Sequence, residues 1–160
     1  LRTPPDAKVF GGGGGGVLVA RSKASARRAA LEAAGAEVIE LPGHGEAVDL
    51  RALLAELARR EVNEVHVEAG AKLSGAFLEA GLVDEILLYQ APCLFGEGLP
   101  IATLSLPASP GEAPRWISGS TDQVGNDLRI VLKRGQSCLP ESFKPSAKCA
   151  NPKSSATACA

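Results

Sequence analysis

Between Val17 and Ala91, short apolar runs suited to buried strands alternate with stretches of helical period, and beyond Arg115 only strand-like runs follow. No other feature constrains the fold as much. Strands joined through helices lie parallel beneath those helices, whereas strands joined by short turns run antiparallel. The expected class is therefore α/β, a mostly parallel sheet covered by helices with antiparallel strands at its C-terminal end. A chain of 160 residues has room for one ordinary domain and a tail. Its 45% apolar and 22% charged residues are the balance of a globular protein.

The elements follow from local signals. The run Gly11 to Gly16 is too flexible for a strand or helix and is expected to be a linker loop, since Val17 to Ala20 after it reads as a strand where a phosphate loop would lead into a helix. Ser22 or Ser25 can cap a helix through Arg27, Arg28, Ala30 and Leu31, which Gly35 ends in a left-handed conformation. Ala36 to Leu41 reads as a strand and the cluster from Pro42 to Gly45 as a turn. Asp49 can cap a second helix whose Leu50, Leu53, Leu54 and Leu57 share one face. Glu64 to Ala69 alternates with period two and is expected to be a strand, followed by a helix in which Leu73, Ala76, Phe77 and Ala80 share a face up to Gly81. Val83 to Ala91 reads as a strand, 96–114 as a Gly/Pro-rich connection, and Arg115 to Gly119 and Leu128 to Lys133 as the last strands. Residues 135–160 show no periodicity and are expected to be a disordered tail after a domain of residues 1–134.

Charge and cysteine placement exclude several functions. Seventeen Lys and Arg against eighteen Asp and Glu give a net charge of −1, no footprint for nucleic acid or an anionic membrane. No apolar run approaches the ~20 residues of a membrane span and no signal pattern opens the chain, so a cytoplasmic location is expected. Cys93 stands apart from Cys138, Cys149 and Cys159, and the spacings match neither a disulfide framework nor a zinc site, so no metal is expected. There is no G-x-S-x-G and no Cys/His pair for covalent catalysis.

One junction can carry chemistry. From Val67 through Glu68, Ala69 and Gly70 to Ala71, Lys72, Leu73, Ser74, Gly75 and Ala76, a strand passes through small residues into a helix. A helix N-terminus at the carboxyl end of such a strand offers unpaired N–H groups and a favourable dipole to a phosphate. Gly70 and Ala71 allow a pyrophosphate to approach, Lys72 and Ser74 add donors, and Gly75 permits close packing. The alternative is structural: Gly70 as a tight turn and Gly75 as a packing contact. Glu68, at the strand end, is either solvated or an acceptor for a polyol or amine. His66 shares its face and could form a proton-transfer pair with it, or be structural. Arg27 and Arg28 could meet a cofactor phosphate or be surface charge.

The segments VNEVHVEAGAKLSGAFLEAGLVDEILLYQAPCLFGEG, LRTPPDAKV and ALEAAGAEVIELPG resemble the reductase domain of the bifunctional riboflavin-biosynthesis deaminase/reductase, over residues 1–134. The resemblance implies a dihydrofolate-reductase-like fold, a homodimer, NADPH as cofactor, and reduction of the pyrimidine ribose-phosphate 5-amino-6-(5-phosphoribosylamino)uracil to its ribitylamino product. It puts the substrate contact on Glu68 and the cofactor contacts on Gly70, Ala71, Lys72, Leu73, Ser74, Gly75 and Ala76. Relative to that family, the chain is expected to start after the first strand and helix and to lack the zinc deaminase domain. Its polyglycine run and the tail after Arg134 have no counterpart there. A non-catalytic remnant that binds a nucleotide or dimerises is the alternative function.

Overall fold

The computed structural model describes residues 3–11, 15–94, 96–105, 107–109 and 113–135. They divide into two compact units, one of the described residues up to 83 with 96–105 and one of 84–94 with those from 107 to 135.

In the first unit, a 3-10 turn at Lys8–Gly11 precedes β1 (Val17–Arg21), α1 (Arg28–Ala33) and β2 (Ala36–Glu40). β1 and β2 pair in parallel from Val17 opposite Ala36 to Arg21 opposite Glu40. Leu31, Ala36 and Val38 are buried there, with Phe10, Val17 and Val19 packed against them. Gly35 ends α1 at φ +96°, the left-handed turn expected of it. The cap differs from expectation. Arg27 occupies the N-cap without a side-chain bond, Ser25 Oγ accepts from Arg27 N–H at 3.2 Å, and Ser22 Oγ donates to the Gly45 carbonyl at 3.2 Å. The turn cluster forms a small hairpin of β3 (Gly43–His44) and β4 (Ala47–Val48) about Gly45, φ +64°.

α2 (Leu50–Arg59) starts as its sequence requires: Asp49 Oδ1 accepts from Arg51 N–H at 2.8 Å and Ala52 N–H at 3.1 Å. Its C-terminus is tied to β2 by charge. Arg60 spans Glu37 and Glu56 at 2.7 Å each, and Arg59 Nη2 lies 2.8 Å from Glu56. Hydrogen bonds from Arg59 and then Arg60 hold the Glu56 carboxyl down at about 2, below its ordinary 4.5, and Arg60 likewise lowers Glu37. A carboxyl depressed by folding stabilises the fold above its ordinary range and loses that contribution as pH falls toward its folded value. The melting temperature is expected to drop as pH falls from 4.5 to about 2, and Glu56→Gln to flatten that part of the curve. Thermal melts across the acid range check this.

Residues 62–70 correct an expectation. The period-two segment Glu64 to Ala69 is not a strand, and all its residues are exposed. Alternation gives a segment two usable faces, but a strand also needs a neighbour to take its main-chain hydrogen bonds, and none of the described residues does so. α3 (Ala71–Glu79) follows and Gly81, φ +66°, ends it. Its buried residues are Gly75 and Phe77, while Leu73 and Ala76 are exposed, so the buried side is not the Leu73, Ala76, Phe77, Ala80 face. The cause is non-local. Residues 96–105 return along α3, with Thr103 N–H donating to Ala71 O at 2.8 Å and Ser105 N–H to Glu79 Oε1 at 2.6 Å. Arg51 Nη2 reaches the Ala80 carbonyl at 2.9 Å and links α2 to the end of α3.

The second unit is a three-stranded antiparallel sheet in the order β5 (Glu85–Gln90), β7 (Asp127–Arg134), β6 (Trp116–Val124). β6 and β7 form a hairpin about Gly125, φ +61°, with an irregularity between Ser118 and Thr121. The first strand of this hairpin runs five residues beyond the expected end at Gly119, to Val124. The antiparallel C-terminal strands are as expected, and parallel pairing among the described residues is confined to β1 and β2. Gly12 to Gly14 of the polyglycine run and residues 136–160 of the expected tail lie outside the described residues.

Candidate functional site

The N-terminus of α3 takes its form from Gly70. This residue is the N-cap at φ −71° and ψ 163°, and its carbonyl accepts from Leu73 N–H and Ser74 N–H at 3.1 Å each. The two preceding amides of the first turn, on Ala71 and Lys72, have no main-chain partner among the described residues. Glycine is required here neither by backbone angle, since φ is negative, nor by packing, since a Cβ would meet no atom within 4 Å. The junction is thus an open helix end with two free donors and the positive end of the dipole, a geometry suited to an anion.

The other expected contacts sort into different roles. Lys72 and Leu73 are exposed beside this end, so the ammonium is free to meet an anion. Ser74 Oγ donates to the Ala69 carbonyl at 3.3 Å, tying the helix to the segment before it. Gly75 is a packing position: a Cβ there would stand 1.8 Å from the Thr103 carbonyl oxygen. Ala76 is exposed. Glu68 is exposed on the unpaired segment two residues before Gly70. His66 Nε2 lies 3.2 Å from Glu64 Oε1, so its carboxylate contact is with Glu64 and the proposed pairing with Glu68 is not formed. Arg28 is engaged by Glu32 at 2.7 Å and Glu40 at 3.4 Å, as a charge on the protein's own surface.

One residue the sequence did not single out is Arg21, at the carboxyl end of β1. It is 6% exposed, ion-paired with Glu40 opposite it in the parallel register, and bonded through Nη1 to Lys23 O at 3.0 Å. The signal was the pairing of two strand-end residues of opposite charge, visible only once the register is known. Among the described residues no group of His, Cys, Asp and Glu is arranged to hold a metal ion, and no helix is long and apolar enough to cross a membrane.

Residues 1–130 match the model of the RibD C-terminal domain. The chain belongs to that family. The riboflavin biosynthesis protein RibD of Haemophilus influenzae is 38% identical over 83 residues, covering 51% of this chain and 22% of that protein. A protein of Buchnera aphidicola named 5-amino-6-(5-phosphoribosylamino)uracil reductase is 31% identical over 90 residues, covering 56% of this chain and 44% of its own length. Among solved structures, Acinetobacter baumannii RibD superposes with a TM-score of 0.70 at 29% identity, over 84% of this chain and 35% of that one. The fold is accordingly the dihydrofolate-reductase-like α/β fold of this family. The chain spans less than half the length of these relatives. The junction from Glu68 to Ala76 lies within the residues the family model matches.

Proposed function

We propose that this RibD C-terminal domain reduces 5-amino-6-(5-phosphoribosylamino)uracil to its ribitylamino product, with NADPH bound at the N-terminus of α3. The observation that carries the reading is the unobstructed helix end at Gly70, whose free Ala71 and Lys72 amides suit a pyrophosphate. Family membership and the name of the Buchnera relative support the reaction. NADPH would supply the hydride, delivered to the ribose C1′ in an open-chain, imine-like form. The protein's share is to hold and orient the two ligands. The first turn of α3 and Lys72 carry the phosphate charge. Glu68 accepts from sugar hydroxyls or stabilises positive charge near C1′, as its exposure without a partner among the described residues permits. A cytoplasmic homodimer is part of the same reading.

The test is NADPH consumption dependent on the pyrimidine substrate. Glu68→Gln keeps an acceptor but removes its charge, weakening a charged hydrogen bond to a neutral one by ~1–1.5 kcal/mol, so kcat/KM is expected to fall roughly five- to tenfold. NADPH affinity should not change. Equal activity in the two proteins would take Glu68 out of the site. NADPH binding with no turnover in either protein would favour the second reading, a nucleotide-binding remnant, in keeping with Glu68 lying in no strand among the described residues.

A further inference from the structure

Ala71, Gly75 and Glu79 stand four residues apart on α3 and so form one stripe along it. Residues 101–105, which belong to the same compact unit as α3, meet that stripe at three points. Thr103 N–H donates to the Ala71 carbonyl at 2.8 Å, and Ser105 N–H donates to Glu79 Oε1 at 2.6 Å. Between these ends the Thr103 carbonyl oxygen lies 1.8 Å from where a Cβ on Gly75 would stand, an approach that only a residue without a side chain allows.

The bond at Ala71 bears on the helix end. The Ala71 carbonyl and the Lys72 N–H belong to one peptide group, and that N–H is one of the two first-turn amides with no main-chain partner among the described residues. A peptide group is planar, so a donor fixed on its oxygen also fixes the direction of its N–H. Hydrogen bonding at the oxygen polarises the group too, and strengthens the next bond its N–H makes by roughly 10–30%. Helix ends fray, so a bond arriving from another segment matters more in the first turn than in the middle.

We propose that residues 101–105 are a positioning strap for this helix end: Thr103 N–H sets the Lys72 amide toward a pyrophosphate, and Glu79 is the latch that keeps the strap on α3. The strap's role rests on the proposed seat of the cofactor pyrophosphate at Ala71 and Lys72. Glu79 itself stands about 12 Å along the helix from Ala71, too far to touch that group. Coupling between two sites is reciprocal, so a bound cofactor also holds the strap down.

Amide hydrogen exchange of the whole chain, followed by NMR with and without saturating NADPH, tests it. NADPH should slow the Thr103 and Ser105 amides about fivefold or more beyond any slowing in α2, the low end of ordinary coupling between sites. Glu79→Ala should speed both amides in the free chain and weaken NADPH binding by roughly fivefold. Glu79→Gln keeps the acceptor oxygen and should restore most of that affinity. A latch that served stability alone would lower the melting temperature and leave the affinity of the folded chain as it was. Unchanged exchange in α2 shows that the variants are folded. If the parent binds NADPH but its strap amides do not respond, or if Glu79→Ala binds it as tightly as the parent, the strap proposal is overturned and the cofactor site stands. If the parent binds no NADPH, the cofactor site fails and the strap proposal with it.

Discussion

Replacing Gly70 by Asp is expected to abolish NADPH binding and leave the chain as stable as before, or slightly more so. Most glycine substitutions at a ligand site confound binding with folding, because the glycine also satisfies a turn or a tight contact. Gly70 does neither, with φ at −71° and no atom within 4 Å of a built Cβ. Asp is moreover a preferred N-cap residue, better than Gly by a few tenths of a kcal/mol, since its carboxylate accepts from the first-turn amides. That same occupation removes the donors a pyrophosphate needs and sets a negative charge against it. Like-charge juxtaposition costs several kcal/mol, a loss of roughly hundredfold or more in affinity. Gly70→Ser is the control, since it caps the helix without a charge and should keep a larger share of the binding. Thermal melts of the parent and both variants across an NADPH titration measure stability and binding together. The reading fails if the parent gains no stability from NADPH, or if the Asp variant gains as much as the parent.

What could be read in the sequence was what depends on neighbours along the chain. Asp49 and the leucines at 50, 53, 54 and 57 specify α2 within a few turns, and the helix starts where that cap requires. Gly35 and Gly81 end their helices with positive φ for the same local reason. What could not be read was set by distant segments. Glu64 to Ala69 has a strand's alternation, but alternation says which faces exist and not whether a neighbour is there to pair with. The face of α3 was misjudged because its apolar residues do not define a single stripe, and residues 96–105, far along the chain, decide which side is covered. At the site the open helix end was legible from Gly70 and the residues after it. That Gly75 packs while Gly70 faces outward was read there too, but what Gly75 packs against was not, because Thr103 lies far along the chain.

Gly75→Ala probes that contact, and is expected to destabilise the chain by ~1–3 kcal/mol with no nucleotide present, the usual cost of overpacking. Alanine inside an exposed helix would gain about 1 kcal/mol over glycine. Here its Cβ would stand 1.8 Å from the Thr103 carbonyl oxygen and 2.8 Å from the carbonyl carbon. These are main-chain atoms, so no rotamer change or substitution at Thr103 relieves the contact, and residues 96–105 must shift. The shift strains the bond from Thr103 N–H to Ala71 O at 2.8 Å and that from Ser105 N–H to Glu79 Oε1 at 2.6 Å. Ser105 also holds the Glu79 carboxyl below its ordinary range. A second readout therefore exists: in Gly75→Ala the Glu79 titration should move back toward an ordinary carboxylate, which side-chain NMR can follow. A variant as stable as the parent, with Glu79 unmoved, would mean that residues 96–105 do not rest on α3. Loss of stability instead makes Gly75 a packing glycine, held there by the Thr103 carbonyl.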